Sequence, residues 1–372
     1  MQFPVKALVA GILFAGSFHV AHASTAEALT LMNNYNLIAS GNLSSISEVD
    51  GNALVGGNLF EGSRYHTHET STAVSALTVA GDIVTDANES VIVNGPGLNV
   101  GGSIRGSVTM NAGGNAYVGS VANGGFLQNN ANGMGSTYVV GDIAGTVNTN
   151  GGNTIYGGNL TGSANANGGG TVQQQAVAPP FNPATQVANA VTTLTEYSNQ
   201  LASLAGNSSY SFSGNKAVFN AMGNSDGLAV FTISDANSFF NQANEFDFNI
   251  ASGTQNILFN VINSDANAEL DIHANFLADA ANQWGSQLLW NFENATKIAI
   301  SAQFGGSLLA LGSDVGVDAN IEGALVAKNV FQTAEIHSRP PSNVPVPGAA
   351  PLFLSALAGL GAVTRRNRKT AV

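Results

Sequence analysis

The densest set of metal-ligand side chains in the sequence is His66-Thr67-His68-Glu69. Imidazoles at alternate positions of a strand share one face, and a neighbouring carboxylate adds a third donor type. A closed site needs a further ligand from a distant segment. No such partner stands out, so the run reads as a solvated loop inserted between repeats, and no cofactor is expected. A second constellation, Asp265, Glu269, Asp271 and His273, offers carboxylates for general acid and base work of the glycosidase kind. That chemistry depends on the separation of the carboxyl groups in space, and acidic residues are most often simply solvated. Gly95-Pro96-Gly97 and Gly101-Gly102 lack the setting and the Lys-Ser/Thr ending of a phosphate loop and read as turns. No Gly-x-Ser-x-Gly elbow leads into a helix, which removes the support for a serine hydrolase. The chain is therefore expected not to be an enzyme.

The elements that would position these residues come from a loose repeat of Gly, then Asn, Asp or Ser, then an aliphatic residue. It occurs as Gly41-Asn42-Leu43, Gly57-Asn58-Leu59, Gly81-Asp82-Ile83, Gly102-Ser103-Ile104, Gly119-Ser120-Val121, Gly141-Asp142-Ile143 and Gly158-Asn159-Leu160. The spacings are 16, 24, 21, 17, 22 and 17 residues. A period near 20, with short alternating strands such as Leu77 to Ile83, is the signature of stacked coils whose aliphatic residues pack on those of the next coil. Runs such as Asn150-Gly151-Gly152-Asn153 and Asn165-Ala166-Asn167-Gly168-Gly169-Gly170 suit corners between strands, because Gly and Asn tolerate positive φ.

A different period follows Pro179-Pro180-Phe181. Val187, Val191, Leu194, Tyr197, Leu201 and Leu204 fall on one helical stripe, Asn182 suits the N-cap, Pro183 the first turn and Gly206 the close. The spacing predicts a helix over about 183–205, lying along the side of the coils. After Ser208 short strands return, with Phe246 and Phe248 expected in a core or on a sheet face rather than on a sugar-stacking platform. The fold class expected is mainly β: an irregular parallel β-solenoid (β-helix) with one long amphipathic α-helix packed alongside. The alternative is a β-solenoid followed by a β-sandwich.

Of the 372 residues 44 are Gly, 9% are charged and none is Cys, so packing and hydrogen-bond ladders must provide the stability that disulfides do not. The net charge of −12 is uneven: all 23 Asp and Glu, against six basic residues, lie between the two ends, a balance of −17 there. Nucleic acid is excluded as a partner on that ground.

Residues 1–23 read as a signal peptide, with Lys6, an apolar run to Val20, and Ala21 and Ala23 at the positions a signal peptidase reads. One domain is expected over 24–338, a Pro-rich linker over 339–348, and an apolar segment with a basic tail over 349–372. The linker carries Val344-Pro345-Val346-Pro347, and Arg365, Arg366, Arg368 and Lys369 form a cytoplasmic stop. The apolar segment is short for a permanent span and contains Pro351, Gly359 and Gly361, so it reads as a transient anchor. This tail resembles the PEP-CTERM sorting signals of Gram-negative bacteria, with Val346 where the commonest form has Glu. The resemblance implies processing by an exosortase-type enzyme. The region from Ala28 to His337 resembles the choice-of-anchor A family of surface domains, through Tyr35-Asn36-Leu37-Ile38, Val49 to Leu59, Leu289-Trp290-Asn291-Phe292, Gly305 to Ala310, Asn320-Ile321-Glu322-Gly323 and Glu335-Ile336-His337. That family implies attachment, with no catalytic residues to carry over.

The functional expectation is thus an exported structural or adhesive protein of a Gram-negative bacterium. It would be anchored transiently in the inner membrane, then placed at the cell surface or in the extracellular matrix, and associated with exopolysaccharide or biofilm. The alternatives are a polysaccharide-active β-helix enzyme and an ice- or mineral-surface binder. Ice binding calls for a flat face of regularly spaced Thr, and only pieces such as Thr146-Val147-Asn148-Thr149 are present.

Overall fold

Each Gly-(Asn/Asp/Ser)-aliphatic unit marks one corner of a coil. The polar residue bonds the next coil: Asn42 Oδ1 accepts from the Asn58 N–H at 2.8 Å, Asn58 Oδ1 from Asp82 at 2.8 Å, Asp82 Oδ1 from Ser103 at 2.7 Å and Asp142 Oδ1 from Asn159 at 2.6 Å. The aliphatic residue points inward, and Leu43, Leu59, Ile83, Ile104 and Ile143 are fully buried. The glycine is required by close approach: a Cβ on Gly81 would stand 2.6 Å from the Gly57 carbonyl oxygen. These features belong to a computed structural model that describes residues 25–68, 74–263, 265 and 269–342. The expected signal peptide with Ala21 and Ala23, residue Glu69, the motif Val344-Pro345-Val346-Pro347, and the apolar tail with Arg365, Arg366, Arg368 and Lys369 lie outside the described residues.

Successive coils place short strands on three faces. Leu37–Ala39, Leu43–Ser45 and Glu48–Val49 form one turn, and Ala53–Val55, Leu59–Phe60 and Arg64–Tyr65 the next, each paired in parallel with its counterpart. The order of coils is not the order of the chain. Leu37–Ala39 lies between Ala53–Val55 on one side and Leu325–Ala327 on the other, so the first coil sits inside the stack. From it the first half climbs to Val172–Gln174 at one end. A helix carries the chain back, and the second half starts from Leu228–Ile233 at the opposite end and returns through Asn256–Val261, Leu288–Phe292 and Ser307–Val317. Alternation of side chains therefore builds one inward ladder through both halves: Phe231, Phe259, Trp290, Leu308, Leu325, Leu37, Ala53, Leu77, Leu98, Ala116, Thr137 and Thr154. The interior narrows from aromatics, with Phe259 and Trp290 stacked at 3.8 Å, to hydroxyls, where Thr149 Oγ1 meets Thr137 and Thr154 Oγ1 at 2.8 Å each.

Helix α1 (Thr25–Asn34) and helix α2 (Pro183–Ala202) cover the outer side of the first face. Val187, Ala190, Leu194, Tyr197 and Leu201 of α2 pack with Ile38, Leu54, Leu258, Leu289, Leu309 and Val326, which is why strands here are buried on both sides. Asn182 Oδ1 accepts from the N–H groups of Ala184 and Thr185, as expected of the N-cap. The far end differs from the expectation: the helix stops at Ala202 with Ser203 as cap, not at Gly206. The physical reason lies in the sheet. Asn260 Nδ2 takes the Leu201 carbonyl at 2.7 Å and Asn291 Nδ2 the Ser198 carbonyl at 3.1 Å, while Asn207 bonds Val230 and Leu228 and pulls residues after 203 onto the edge strand.

The second half continues the solenoid and does not form a sandwich. One antiparallel hairpin, Ser209–Ser213 with Lys216–Ala221, belongs to a small sheet with Glu245–Ile250 and Asn275–Phe276 that widens this end. Phe246 is buried and Phe248 packs against the core, in line with their expected role. Residues 269–276 form two short strands, Glu269–Ile272 and Asn275–Phe276. Helices Ala236–Gln242 and Ala280–Trp284, like α1, carried no clear periodic signal.

Candidate functional site

Over its first-half portion the third face is a sheet with strictly alternating strands. In Ser107–Met110, Phe126–Asn129, Thr146–Asn150 and Ser163–Asn167, residues such as Val108, Leu127 and Val147 point inward, and hydroxyl and amide residues point out. Parallel register then aligns like with like. One column runs Ile92, Thr109, Gln128, Asn148, Asn165, and a neighbouring one runs Phe126, Thr146, Ser163. The amides hydrogen-bond along and across the columns: Asn165 Nδ2 to Asn148 Oδ1 at 2.8 Å, Asn148 Nδ2 to Gln128 Oε1 at 3.3 Å, Asn167 Nδ2 to Asn150 Oδ1 at 2.9 Å, Asn150 Nδ2 to Asn130 Oδ1 at 2.9 Å, and Asn111 Nδ2 to Asn94 Oδ1 at 2.9 Å.

Such a ladder orders the side chains without consuming them. A primary amide has two N–H donors and two acceptor lone pairs, and Asn148 and Asn150 each use one of each in the ladder, whereas Asn130 Oδ1 also accepts from Gln128 Nε2 at 3.0 Å and Asn165 Nδ2 also donates to Ser163 Oγ at 3.3 Å. Rows repeat at about 4.8 Å between coils, and outward residues on one strand at roughly 6.7 Å. The outcome is an uncharged grid of ordered donors and acceptors. Ser163–Asn167 corrects one expectation, since Asn165-Ala166-Asn167 forms a strand where a corner was foreseen. Its amide bonds to the coil below offset the poor strand propensity of Asn.

Toward the middle of the stack the same face becomes charged. Arg64 pairs with Glu48 at 2.8 Å. Glu322, buried, accepts from Arg339 Nε at 2.9 Å and Gln303 Nε2 at 2.9 Å and meets His337 Nδ1 at 2.8 Å. Burial alone would raise the Glu322 pKa, but the bonds from Arg339, His337 and Gln303 reverse this and hold it below the usual carboxylate value. Burial likewise works against protonation of His337, and the carboxylates of Glu335 and Glu322 overcome it and raise its pKa. This cluster, with the Ser338 N–H on Asp50 Oδ2 at 3.0 Å, fastens the last strand to the first coil. It reads as a structural seam.

The residues singled out for chemistry do not converge. His66 follows the strand Arg64–Tyr65 with φ of 59°, is buried, and its Nδ1 lies 2.9 Å from Asn52 Oδ1. His68 is exposed and pairs with Asp50 Oδ1 at 2.7 Å, which raises its pKa. The left-handed turn at His66 is why the two imidazoles do not share a strand face. Among the described residues no group of three or more His, Asp and Glu is arranged to hold a metal. Glu269 and Asp271 point outward from Glu269–Ile272, and Asp271 Oδ1 accepts from Ser301 Oγ at 2.7 Å, with His273 Nδ1 3.4 Å from its other oxygen. No helix among the described residues is long and apolar enough to cross a membrane.

The fold is a parallel β-solenoid, and its third face presents columns of ordered amide and hydroxyl side chains. The chain matches the family model described as "Putative Ice-binding-like adhesive domain" over residues 28–138 and 102–338, and it belongs to that family. No curated protein and no solved structure matches it. Membership fits an adhesive-type surface or extracellular protein.

Proposed function

We propose that the chain is a non-catalytic adhesin that binds an extended, neutral extracellular polysaccharide through the amide and hydroxyl grid of its third face. The observation that carries this reading is the ladder from Asn94 to Asn167, in which ordered amides present donors and acceptors at fixed intervals with no charge among them. A polysaccharide is a repeating array of hydroxyls, and each hydrogen bond to it contributes about 0.5–1.5 kcal/mol, so affinity accumulates over many weak contacts. Signal peptidase and an exosortase-type enzyme would process the two ends, leaving the domain at the surface or in the matrix of a Gram-negative cell after transient inner-membrane anchoring.

The test is co-sedimentation of the protein with a panel of insoluble neutral polysaccharides. Gln128→Ala with Asn148→Ala should weaken binding about tenfold or more, from two lost amides, while leaving the circular dichroism unchanged. Equal binding by wild type and variant would sink the proposal.

A second reading, ice binding, is favoured by the family's description. The grid is dominated by amides, with Thr109 and Thr146 the threonines among the outward positions named above, so no thermal hysteresis is expected. A hysteresis abolished by the same two substitutions would transfer the face to ice.

A further inference from the structure

Beyond the start of α2 the segment Pro179 to Asn182 lies against the first face in place of a helix, and the outward column changes character, with Thr78 and Asn99 still buried. A helix of 20 residues is about 30 Å long and spans about six coils at roughly 4.8 Å each. Leu309, Val326, Ile38 and Leu54 lie under it; the column then continues as Thr78, Asn99, Tyr117, Tyr138 and Ile155. Tyr117 and Tyr138, on adjacent coils and partly exposed, are stacked with centroids 4.7 Å apart and planes 9° apart. Because the rings are parallel and succeed each other along the column, one face of Tyr117 is covered by Tyr138. The other looks toward the shorter Asn99 and Thr78.

That change of size makes a step. Its floor is Asn99 and Thr78, its wall is the free face of Tyr117, and opposite stand Phe181, 39% exposed, and Gln186 of the first turns of α2. The groove measures about 410 Å³, and a second of about 460 Å³ opens on the other side of Phe181 against Val140. These are volumes of small-molecule sites. Neither lining contains Asp, Glu, Lys, Arg or His. Amides supply the polarity: Asn99 Nδ2 is held by Ser75 Oγ at 2.6 Å, Asn115 Oδ1 takes the Ser136 N–H at 3.0 Å, and Gln186 donates to the Tyr35 hydroxyl at 2.6 Å while its Oε1 is buried without a protein partner.

We propose that this groove is a binding site for a single neutral pyranose ring, its C–H face against Tyr117 and Phe181 and its hydroxyls toward Asn115 and Gln186. An aromatic wall favours the apolar face of a sugar, uncharged amides match hydroxyls, and the absence of an acidic side chain disfavours a cation that would otherwise be drawn to the ring. The site deepens the polysaccharide reading, on which it rests for the ligand class, but lies on a different face from the grid.

Saturation-transfer NMR of the purified protein with neutral mono- and disaccharides at millimolar concentration tests it. Wild type should show transfer concentrated on ring C–H protons. Tyr117→Ala and Phe181→Ala should each weaken binding about tenfold, and Gln128→Ala with Asn148→Ala should leave it unchanged. Phe181 lies in a surface segment before the helix, so its variant reports on binding even where Tyr117→Ala disturbs the sheet. No transfer from any sugar in the panel, transfer insensitive to Phe181→Ala, or binding of a quaternary ammonium probe in place of sugars would each overturn the proposal. Loss of co-sedimentation with retained transfer would strike only the third-face reading.

Discussion

Gly81→Ala puts the corner logic to a direct test. The methyl carbon would lie 2.6 Å from the Gly57 carbonyl oxygen and 2.8 Å from its carbon, and would overlap Asn58 Oδ1, where ordinary contact begins near 3.4 Å. Two of these atoms are backbone of the coil below, so relief requires the coils to part or Asn58 to leave. If Asn58 leaves, the 2.8 Å bond it accepts from the Asp82 N–H is lost, and the 2.9 Å Gly81 N–H to Gly57 bond is strained. Overpacking costs about 1–3 kcal/mol and an orphaned N–H about as much again, which places the expected loss at about 2–6 kcal/mol. Gly312→Ala is the control, since its nearest atom, the Ala295 carbonyl oxygen, is 3.7 Å away, and it should change stability by less than about 0.5 kcal/mol. Urea unfolding followed by far-ultraviolet circular dichroism measures both. Asn58→Ala alone should cost about 1–3 kcal/mol, and combined with Gly81→Ala should add less than that, because the first change has already displaced the side chain. A Gly81→Ala protein as stable as Gly312→Ala, or full additivity with Asn58→Ala, would refute the argument that the repeat exists to stack corners.

Two further expectations concern the seam and the helix. Glu322, with its pKa lowered in the fold, contributes stability above its ordinary value of 4.5 and loses it as pH falls through the folded value; His337, with its pKa raised, contributes fully below 6.5 and loses it as pH rises through the folded value. Stability should therefore be highest between about pH 4.5 and 6.5 and fall on both sides, and Glu322→Gln should flatten both limbs in unfolding curves taken across pH. Asn291→Ala removes the bonds to Asn260 Oδ1 at 3.0 Å and Ser198 O at 3.1 Å and the acceptor for Ser198 Oγ at 2.6 Å, all at a fully buried position, for a cost of about 2–4 kcal/mol. Amide exchange should accelerate at the C-terminal end of α2 and not near Pro183; uniform acceleration along the helix would contradict the clamp.

Local chemistry was readable because it repeats with the coil. Gly57-Asn58-Leu59 states a corner completely: a glycine for approach, an acceptor for the next coil and an aliphatic for the core. Asn182-Pro183 announces a helix start in the same local way. The helix end was not readable, because Asn260, Asn291 and Asn207 set it from elsewhere in the fold. The amide grid was hidden for a related reason. Singly, Thr146-Val147-Asn148-Thr149 reads as a scattered threonine piece and the run from Asn165 as a corner, and only their alignment at an offset of 17 residues turns Asn148 and Asn165 into neighbours. That offset is the spacing of Gly141 and Gly158, so the signal was present as a register and absent as a motif.

The order of the coils lay further out of reach, and it bears on how the third face is divided. Asn329 Oδ1 accepts from the Asn42 N–H at 2.8 Å across 287 positions, doing the work of a corner residue inside Lys328-Asn329-Val330, where no glycine marks it. A repeat scan assigns each coil the next one in the chain as its neighbour, and here the first coil has the last as one of its two. Both sides of this join must be made from residues far apart in sequence, so pairing strength there cannot come from local propensity. Charge-assisted bonds are the stronger kind available, and the join is where Glu322, His337, Arg339 and Asp50 collect. The charged stretch of the third face is thereby accounted for by closure of the fold. The neutral stretch from Asn94 to Asn167, stacked coil on coil in chain order, has no such join to make, and it is the stretch to which the proposed polysaccharide contact is assigned.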